Sequence, residues 1–368
     1  MTSVDRRPVE AAVSLDHLAA DDVPMRQGWF KTQDLVGIAA AAVAAASVAG
    51  LLREILAWQG VMSTGIWFYL IFLAAYYVIV RETSSEESGI DRMVTVVMWS
   101  IGVVVVAALA WMLVWLTAKG VKSLGTAFFT QDMSKVGPLN PGGGARAAII
   151  GSIEQVGLAT AFVVPLAILT AIYLHEHRGV LARPVRFFVD ALSGKPSVLA
   201  GLVVYAAWTI GHPERFSGVA ASAALVILML PTVTGTAEEV LRTIPDSLRE
   251  ASLALGAPQW KVVLRIVVPT ALSGLMTAAI LGVARAIGET APALLTAAYS
   301  TKTNVDPFHG PQADLPTFVY NLVLQPNAVQ QQRGFAGALV LVILVLVLFS
   351  SARVISNTSQ RKLRGKSS

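Results

Sequence analysis

Long, nearly charge-free apolar runs recur along this 368-residue chain, and they constrain its fold more than any other feature. They fall at about 35–55, 63–81, 93–117, 147–173, 196–211, 219–236, 270–298 and 335–355. About 20 apolar residues in a helix cross a bilayer, and a spanning segment must satisfy its own backbone. The reading is therefore an all-α, polytopic transmembrane helical bundle of about eight spans. Composition agrees: 55% of residues are hydrophobic and 14% charged, with a mean hydropathy of +0.64. Average soluble chains carry roughly 25% charged residues. The first run is Ala-rich and ends at Arg53-Glu54. The fifth and sixth are short, separated by a tight outside turn from Gly211 to Ser217.

Charge gives the topology. With the N-terminus inside, inside segments hold 19 Lys and Arg residues, outside segments hold 8, and Arg285 lies within a span. That bias follows the positive-inside rule and puts both termini in the cytoplasm. Residues 1–33 read as a polar cytoplasmic tail without a cleavable signal, despite Arg6-Arg7, and residues 357–368 as a basic one. The net charge of +5 marks membrane loops, not a nucleic-acid partner. The absence of cysteine excludes disulfides, thiolate catalysis and cysteine metal sites. Two long outside loops, 118–146 and 299–334, are suited to receiving a binding protein or lining an outer mouth.

Between two apolar runs lies a polar loop, about 237–269, with Glu250-Ala251-Ser252, then Gly256, then Ile266-Val267-Val268-Pro269. Gly tolerates a positive φ that other residues resist, so two short helices can hinge at Gly256 into a rigid elbow. The spacing E-A-A-x3-G-x9-I-x-L-P resembles the docking loop of ABC-importer permeases. Glu250, Ala251, Gly256, Ile266 and Pro269 match it; Ser252 and Val268 depart from it.

Arg285 is the second telling residue. A charge near the bilayer middle costs on the order of 3 kcal/mol, so it faces a wet pathway or a partner charge. Its planar fork suits the oxygens of an oxyanion. Glu289, four residues on, lies one helical turn away and either neutralises Arg285 or takes part in selection. Hydrogen phosphate carries a P–OH donor that a carboxylate can accept from, whereas sulfate has none and is repelled. Thr290, Thr277 and Ser273 offer hydroxyls. Gly274, Ala278, Ala279, Gly282, Ala286 and Gly288 read as close helix packing. His175-Glu176-His177 reads as an interfacial loop more than a metal pair, and Gly142-Gly143-Gly144 as a turn more than an anion nest. Lys195 fails the phosphate-loop template, with Val189 at the first Gly position and Pro196 after the Lys.

From about 93 to 355 the chain is similar to the PstA permeases of the bacterial phosphate-specific ABC importer. The carrying segments include Phe128-Phe129-Thr130, Gly201 to Tyr205, Phe216-Ser217-Gly218, Ser247 to Gly256, and Ala284-Arg285-Ala286-Ile287-Gly288-Glu289-Thr290-Ala291-Pro292. The resemblance implies a six-span permease core at 93–356 that moves inorganic phosphate across the bacterial cytoplasmic (inner) membrane by alternating access, preceded by two extra spans at 34–92. It implies a substrate pathway through Arg285, Glu289 and Thr290. It also implies an ATPase-docking role for Glu250, Ala251, Gly256, Ile266 and Pro269. The implied partners are a second, PstC-like permease, a PstB-like ATPase dimer that uses ATP and magnesium, a PstS-like extracytoplasmic phosphate-binding protein, membrane lipids and a phosphate-sensing regulator. The chain itself is expected to bind no cofactor or metal and to catalyse no reaction. The rival readings are a permease for another oxyanion or small ion, an ion-gradient-driven secondary transporter, and a subunit that signals phosphate status.

Overall fold

The computed structural model describes residues 32–55, 60–83, 86–137, 140, 142–177 and 179–364. Arg6, Arg7, Arg26, Lys31, Arg178 and Lys366, which enter the charge count, lie outside the described residues, as does most of the N-terminal tail. All regular structure among the described residues is helical. Among the described residues, seven helices are long and apolar enough to cross a membrane, and a bent pair supplies an eighth crossing if it is taken as one span.

The chain divides into two compact units at residues 109 and 110. The first contains α1 (Thr32–Ile55), α2 (Val61–Thr83) and the start of α3 (Glu86–Gly120). Ala41, Ala45 and Ala49 recur every fourth residue as a buried stripe on α1. Small residues at that spacing let helix backbones approach closely where lipid offers no hydrophobic drive. Ala41 packs with Tyr76 and Val80 of α2. Phe68, Phe72 and Tyr76 stack along α2 with ring centroids 6.4 and 6.1 Å apart.

The second unit begins with the rest of α3 and the short α4 (Thr126–Thr130). There follow α5 (Arg146–Glu176), α6 (Ala182–Ser193), α7 (Ser197–Val204), α8 (Gly218–Arg242) and α9 (Asp246–Ala254). The last five are α10 (Gln259–Val262), α11 (Val268–Ile287), α12 (Ala291–Thr296), α13 (Leu315–Val323) and α14 (Ala328–Arg364). Its core has three layers. At the end nearest Gly256, here the elbow end, Ala171, Leu241, Val262, Val267 and Leu275 cluster. In the middle, α5, α8 and α11 meet through Val163, Leu225, Met229 and Ile287. At the far end Phe128, Met133, Leu315 and Phe318 join the two long loops.

Two spans differ from the sequence expectation. The seventh begins at Gln259, not near 270, because α10 runs through a π turn at Val263–Val267 directly into α11. The wider turn accommodates the N–H that Pro269 lacks. The fifth is a bent pair. α6 turns by 108° into Ser197–Thr209, whose thirteen residues reach about 20 Å, short of the roughly 30 Å hydrocarbon core. Gly194-Lys195-Pro196 forms the bend, and Gly211 at φ +75° ends the segment.

The far-end loops are tied by polar contacts. Asp132 accepts from the N–H and hydroxyl of Thr303, each at 3.0 Å, and from Ser134. The hydrogen bond from the Ser134 hydroxyl, then that from the Thr303 N–H, hold its carboxyl far below the ordinary range. Gly143 donates to Gln131, so the Gly142-Gly143-Gly144 run serves here as a turn. Asp314 caps α13 by accepting from the Thr317 N–H at 2.9 Å. Burial pushes its carboxyl up to about 6 from 3.8, against the lowering effect of the Thr317 contacts. The folded chain thus holds this proton more tightly than the unfolded one, so stability falls as pH rises from about 4 through 6. Asp314→Asn keeps an acceptor oxygen and removes the charge. Its thermal midpoint is expected above wild type at neutral pH, with the two converging toward pH 4; a wild-type pH slope in the variant would contradict the assignment.

Candidate functional site

α8 and α11 run antiparallel and very close. A Cβ added at Gly274 would sit 2.4 Å from Val240, and one at Gly282 would sit 2.3 Å from Val233. This register brings Arg285 to Thr232, whose hydroxyl accepts from Arg285 Nη1 at 3.1 Å. Thr232 lies fourteen residues from Gly218, so Arg285 sits about 21 Å from the far end of α8 and about 15 Å from Arg242. That is the depth of a bilayer interior.

α11 breaks at the same level. It ends at Ile287, capped by Gly288, and α12 starts at Ala291. α12 continues toward the far end, where Ala293 and Ala297 pack on Ala221. Irregular backbone at membrane depth is tolerated only where protein buries it or water reaches it. The Arg285 side chain beside the break is 49% exposed on the isolated chain. Glu289 follows, beyond the helix end, not on a continued helical turn. Its carboxylate is 21% exposed and 3.9 Å from Arg285 Nε, a loose pair that leaves the guanidinium fork open. Thr290 occupies the N-cap position of α12, where its carbonyl accepts from Leu294 at 3.0 Å.

The structure therefore sets Glu289 loosely beside Arg285, adds Thr232 as its hydrogen-bond partner, and places Thr290 across the break at the start of α12. Ser273 and Thr277 lie on α11 about three and two turns toward the elbow, with the Thr277 hydroxyl bonded to the Ser273 carbonyl at 2.9 Å. They do not reach Arg285.

The elbow is a separate element at the end of the same helix pair. α9 ends in a Schellman motif: Gly256 donates to Leu253 at 2.9 Å and Ala257 to Ser252 at 3.2 Å. Gly256 holds φ +80° with nothing near where a Cβ would stand. Glu250, Ala251 and Gly256 are exposed, as is Pro269, while Ile266 packs on the core layer at this end. Leu253, Leu255, Trp260 and Leu264 are also exposed around the turn. No residue of α9 is buried. It is held to the bundle by Arg249, whose Nη1 lies 2.9 Å from Glu176 Oε1 at the end of α5, with both side chains largely covered. His177 stacks on Tyr173 at 5.1 Å. Among the described residues no cluster of three His, Cys, Asp or Glu side chains could hold a metal.

Known proteins are similar to this chain in sequence and in fold. Residues 163–365 fit the family model described as binding-protein-dependent transport system inner membrane component. The phosphate transport system permease protein PstA 1 of Mycobacterium tuberculosis is 39% identical over 266 residues, which are 71% of this chain and 86% of that protein. The PstA protein of Yersinia pestis is 38% identical over 249 residues, 67% and 83% of the two chains. Among solved structures, a chain of a bacterial alginate ABC transporter, in complex with an alginate pentasaccharide-bound periplasmic protein, is alike in fold. It aligns over 70% of this chain and 94% of its own at 14% identity, with a TM-score of 0.51. The chain belongs to the binding-protein-dependent transport system inner membrane component family and, within it, to the PstA permeases.

Proposed function

We propose that this chain is a membrane subunit of an ATP-driven importer that carries inorganic phosphate across the bacterial cytoplasmic membrane. The observation that carries this reading is Arg285, half-exposed at bilayer depth beside a helix break. A guanidinium there cannot face lipid cheaply, and its fork matches two phosphate oxygens. A second, PstC-like permease would cover this face and leave a wet pathway between the two chains. In the alternating-access cycle, Arg285, Thr232, Thr290 and Glu289 hold the ion in transit.

The elbow end faces the cytosol in this reading, as do both termini. Glu250, Ala251 and Gly256, with the exposed Leu255 and Trp260, meet a PstB-like ATPase pair. Ile266 and Pro269 join the elbow to the span. The chain contributes no nucleotide site of its own; ATP and magnesium act on the partner. The Arg249–Glu176 pair ties α9 to α5, and α10 passes without interruption into α11, so displacement of the elbow reaches Arg285 along one helix. The far-end loops receive a PstS-like phosphate-binding protein. Residues 93–356 form the permease core in this division, and 34–92 are an added pair of spans.

Selectivity is assigned to Glu289. Glu289→Gln in an assembled complex is expected to reduce discrimination of phosphate from sulfate by roughly tenfold, since one repulsive term against sulfate is lost. Competition of labelled phosphate uptake by sulfate checks this. Unchanged rate and preference would leave Glu289 as a counter-charge only. The wider reading is tested by co-purification: an ATPase should accompany the chain, and phosphate-loaded binding protein should stimulate it. A chain that purifies with no nucleotide-hydrolysing partner would overturn it.

A further inference from the structure

A second basic site lies well away from Arg285, at the elbow end of the bundle. An open cavity of about 490 Å³ is lined by Leu174, His175 and His177 at the end of α5, Gly179 in the turn that follows, Ala182, Arg183 and Arg186 of α6, and Glu238 and Arg242 of α8. Its volume is in the range of small-ligand sites, about 300–1,000 Å³.

Its charge is pre-arranged. Glu238 is buried and grips Arg186 through both oxygens, at 2.7 and 3.3 Å. The same carboxylate accepts from Arg242 at 2.9 Å. Two guanidinium groups are thereby fixed in place, and neither exhausts its five N–H donors on the protein. Arg186 makes one further bond, to the Leu174 carbonyl, and Arg242 one, to Glu239. Arg183 completes the lining, is exposed, and has no carboxylate within ion-pair distance among the described residues. Counting Glu239 as well, three guanidiniums face two carboxylates, so the cavity keeps a surplus positive charge that no further carboxylate among the described residues pairs with.

The surroundings say what can reach it. One face of α6, through Ala182, Val185 and Val189, packs on Tyr173 and Leu174. Leu181, Phe187 and Phe188 are exposed. An amphipathic helix of this kind, joined by a sharp bend to a membrane segment, lies in the headgroup layer with its aromatic side in lipid. The cavity then opens at the level of lipid phosphates and of the aqueous phase on the elbow side.

We infer that this cavity is a second, non-transport binding site for a tetrahedral phosphate group, held by Arg183 and by the N–H donors of Arg186 and Arg242 that the carboxylates leave unused. Both an anionic lipid headgroup and free orthophosphate present that chemistry. The inference does not rest on the transport reading, because none of these residues belongs to the Arg285 pathway.

The test uses the purified multisubunit complex with Arg183→Gln, a change at an exposed side chain without an ion pair. One arm measures labelled inorganic phosphate binding in neutral detergent, with Arg285→Ala in both samples to silence the membrane-interior site. The other places the complex in phosphatidylcholine nanodiscs containing phosphatidylglycerol and counts retained phosphatidylglycerol by native mass spectrometry. Arg183→Gln is expected to weaken one saturable equivalent by about tenfold, the effect of one lost charge-assisted hydrogen bond. A loss in the first arm assigns the site to free phosphate, and a loss in the second assigns it to a headgroup. Unchanged binding of both probes, or no saturable equivalent of either, overturns the inference.

Discussion

Arg285→Ala is expected to lower phosphate uptake by about a hundredfold or more, while insertion, assembly and ATPase docking stay intact. Losing hydrogen bonds to a charged group and leaving an oxyanion unpaired at membrane depth costs on the order of 3 kcal/mol, which is two decades. The fold should tolerate the change. Arg285 is half-exposed, its one strong contact is the Thr232 hydroxyl, and its pair with Glu289 is long. Arg285→Lys separates charge from geometry. An ammonium keeps the positive charge but loses the planar fork, so uptake should fall by roughly tenfold, between wild type and the Ala variant. Equal activity of the Lys and wild-type chains would show that the fork does not grip the ion. Collapse of complex assembly in Arg285→Ala would make the residue an intersubunit strut.

Gly256→Val is the second large effect, and it is expected to abolish co-purification of the ATPase. The position holds φ +80°, and a left-handed residue with a Cβ costs roughly 1–2 kcal/mol, more when β-branched. No atom stands within 4 Å of the would-be Cβ, so the penalty is conformational and not a clash. That distinction sharpens the test. Asn tolerates this backbone region, so Gly256→Asn should retain ATPase binding that Gly256→Val loses. If both variants fail alike, the exposed surface of the glycine, not its dihedral, makes the contact. If neither fails, the elbow is not the docking element.

Much of this was legible in the residues. Apolar runs of span length located seven long helices, because length and hydropathy are local properties. Gly256 was legible because only a positive φ explains a glycine between two amphipathic segments, and it does adopt one. Arg285 stood out as the lone cation in an apolar run. What was not legible depended on pairing. Thr232 belongs beside Arg285 only through the α8–α11 register, which Gly274 and Gly282 set against Val240 and Val233. Arg249 and Glu176 meet across 73 positions of chain, and neither looks unusual in its own segment. The start of the seventh span, expected near 270, was not legible either, because the π turn before Pro269 lets one helix run through from Gln259. The break at Gly288 to Thr290 was passed over inside the apolar run 270–298, although Gly288, Glu289 and Pro292 interrupt that run there.

The most direct test of the central claim is ATP-driven uptake by the complete complex in sealed vesicles, with the side of the elbow known from cysteine labelling at an introduced Ser252→Cys. Phosphate should accumulate only when ATP is on the elbow side and the loaded binding protein is on the other, and Arg285→Ala should stop it. Accumulation without ATP, or an elbow labelled on the binding-protein side, would contradict the account.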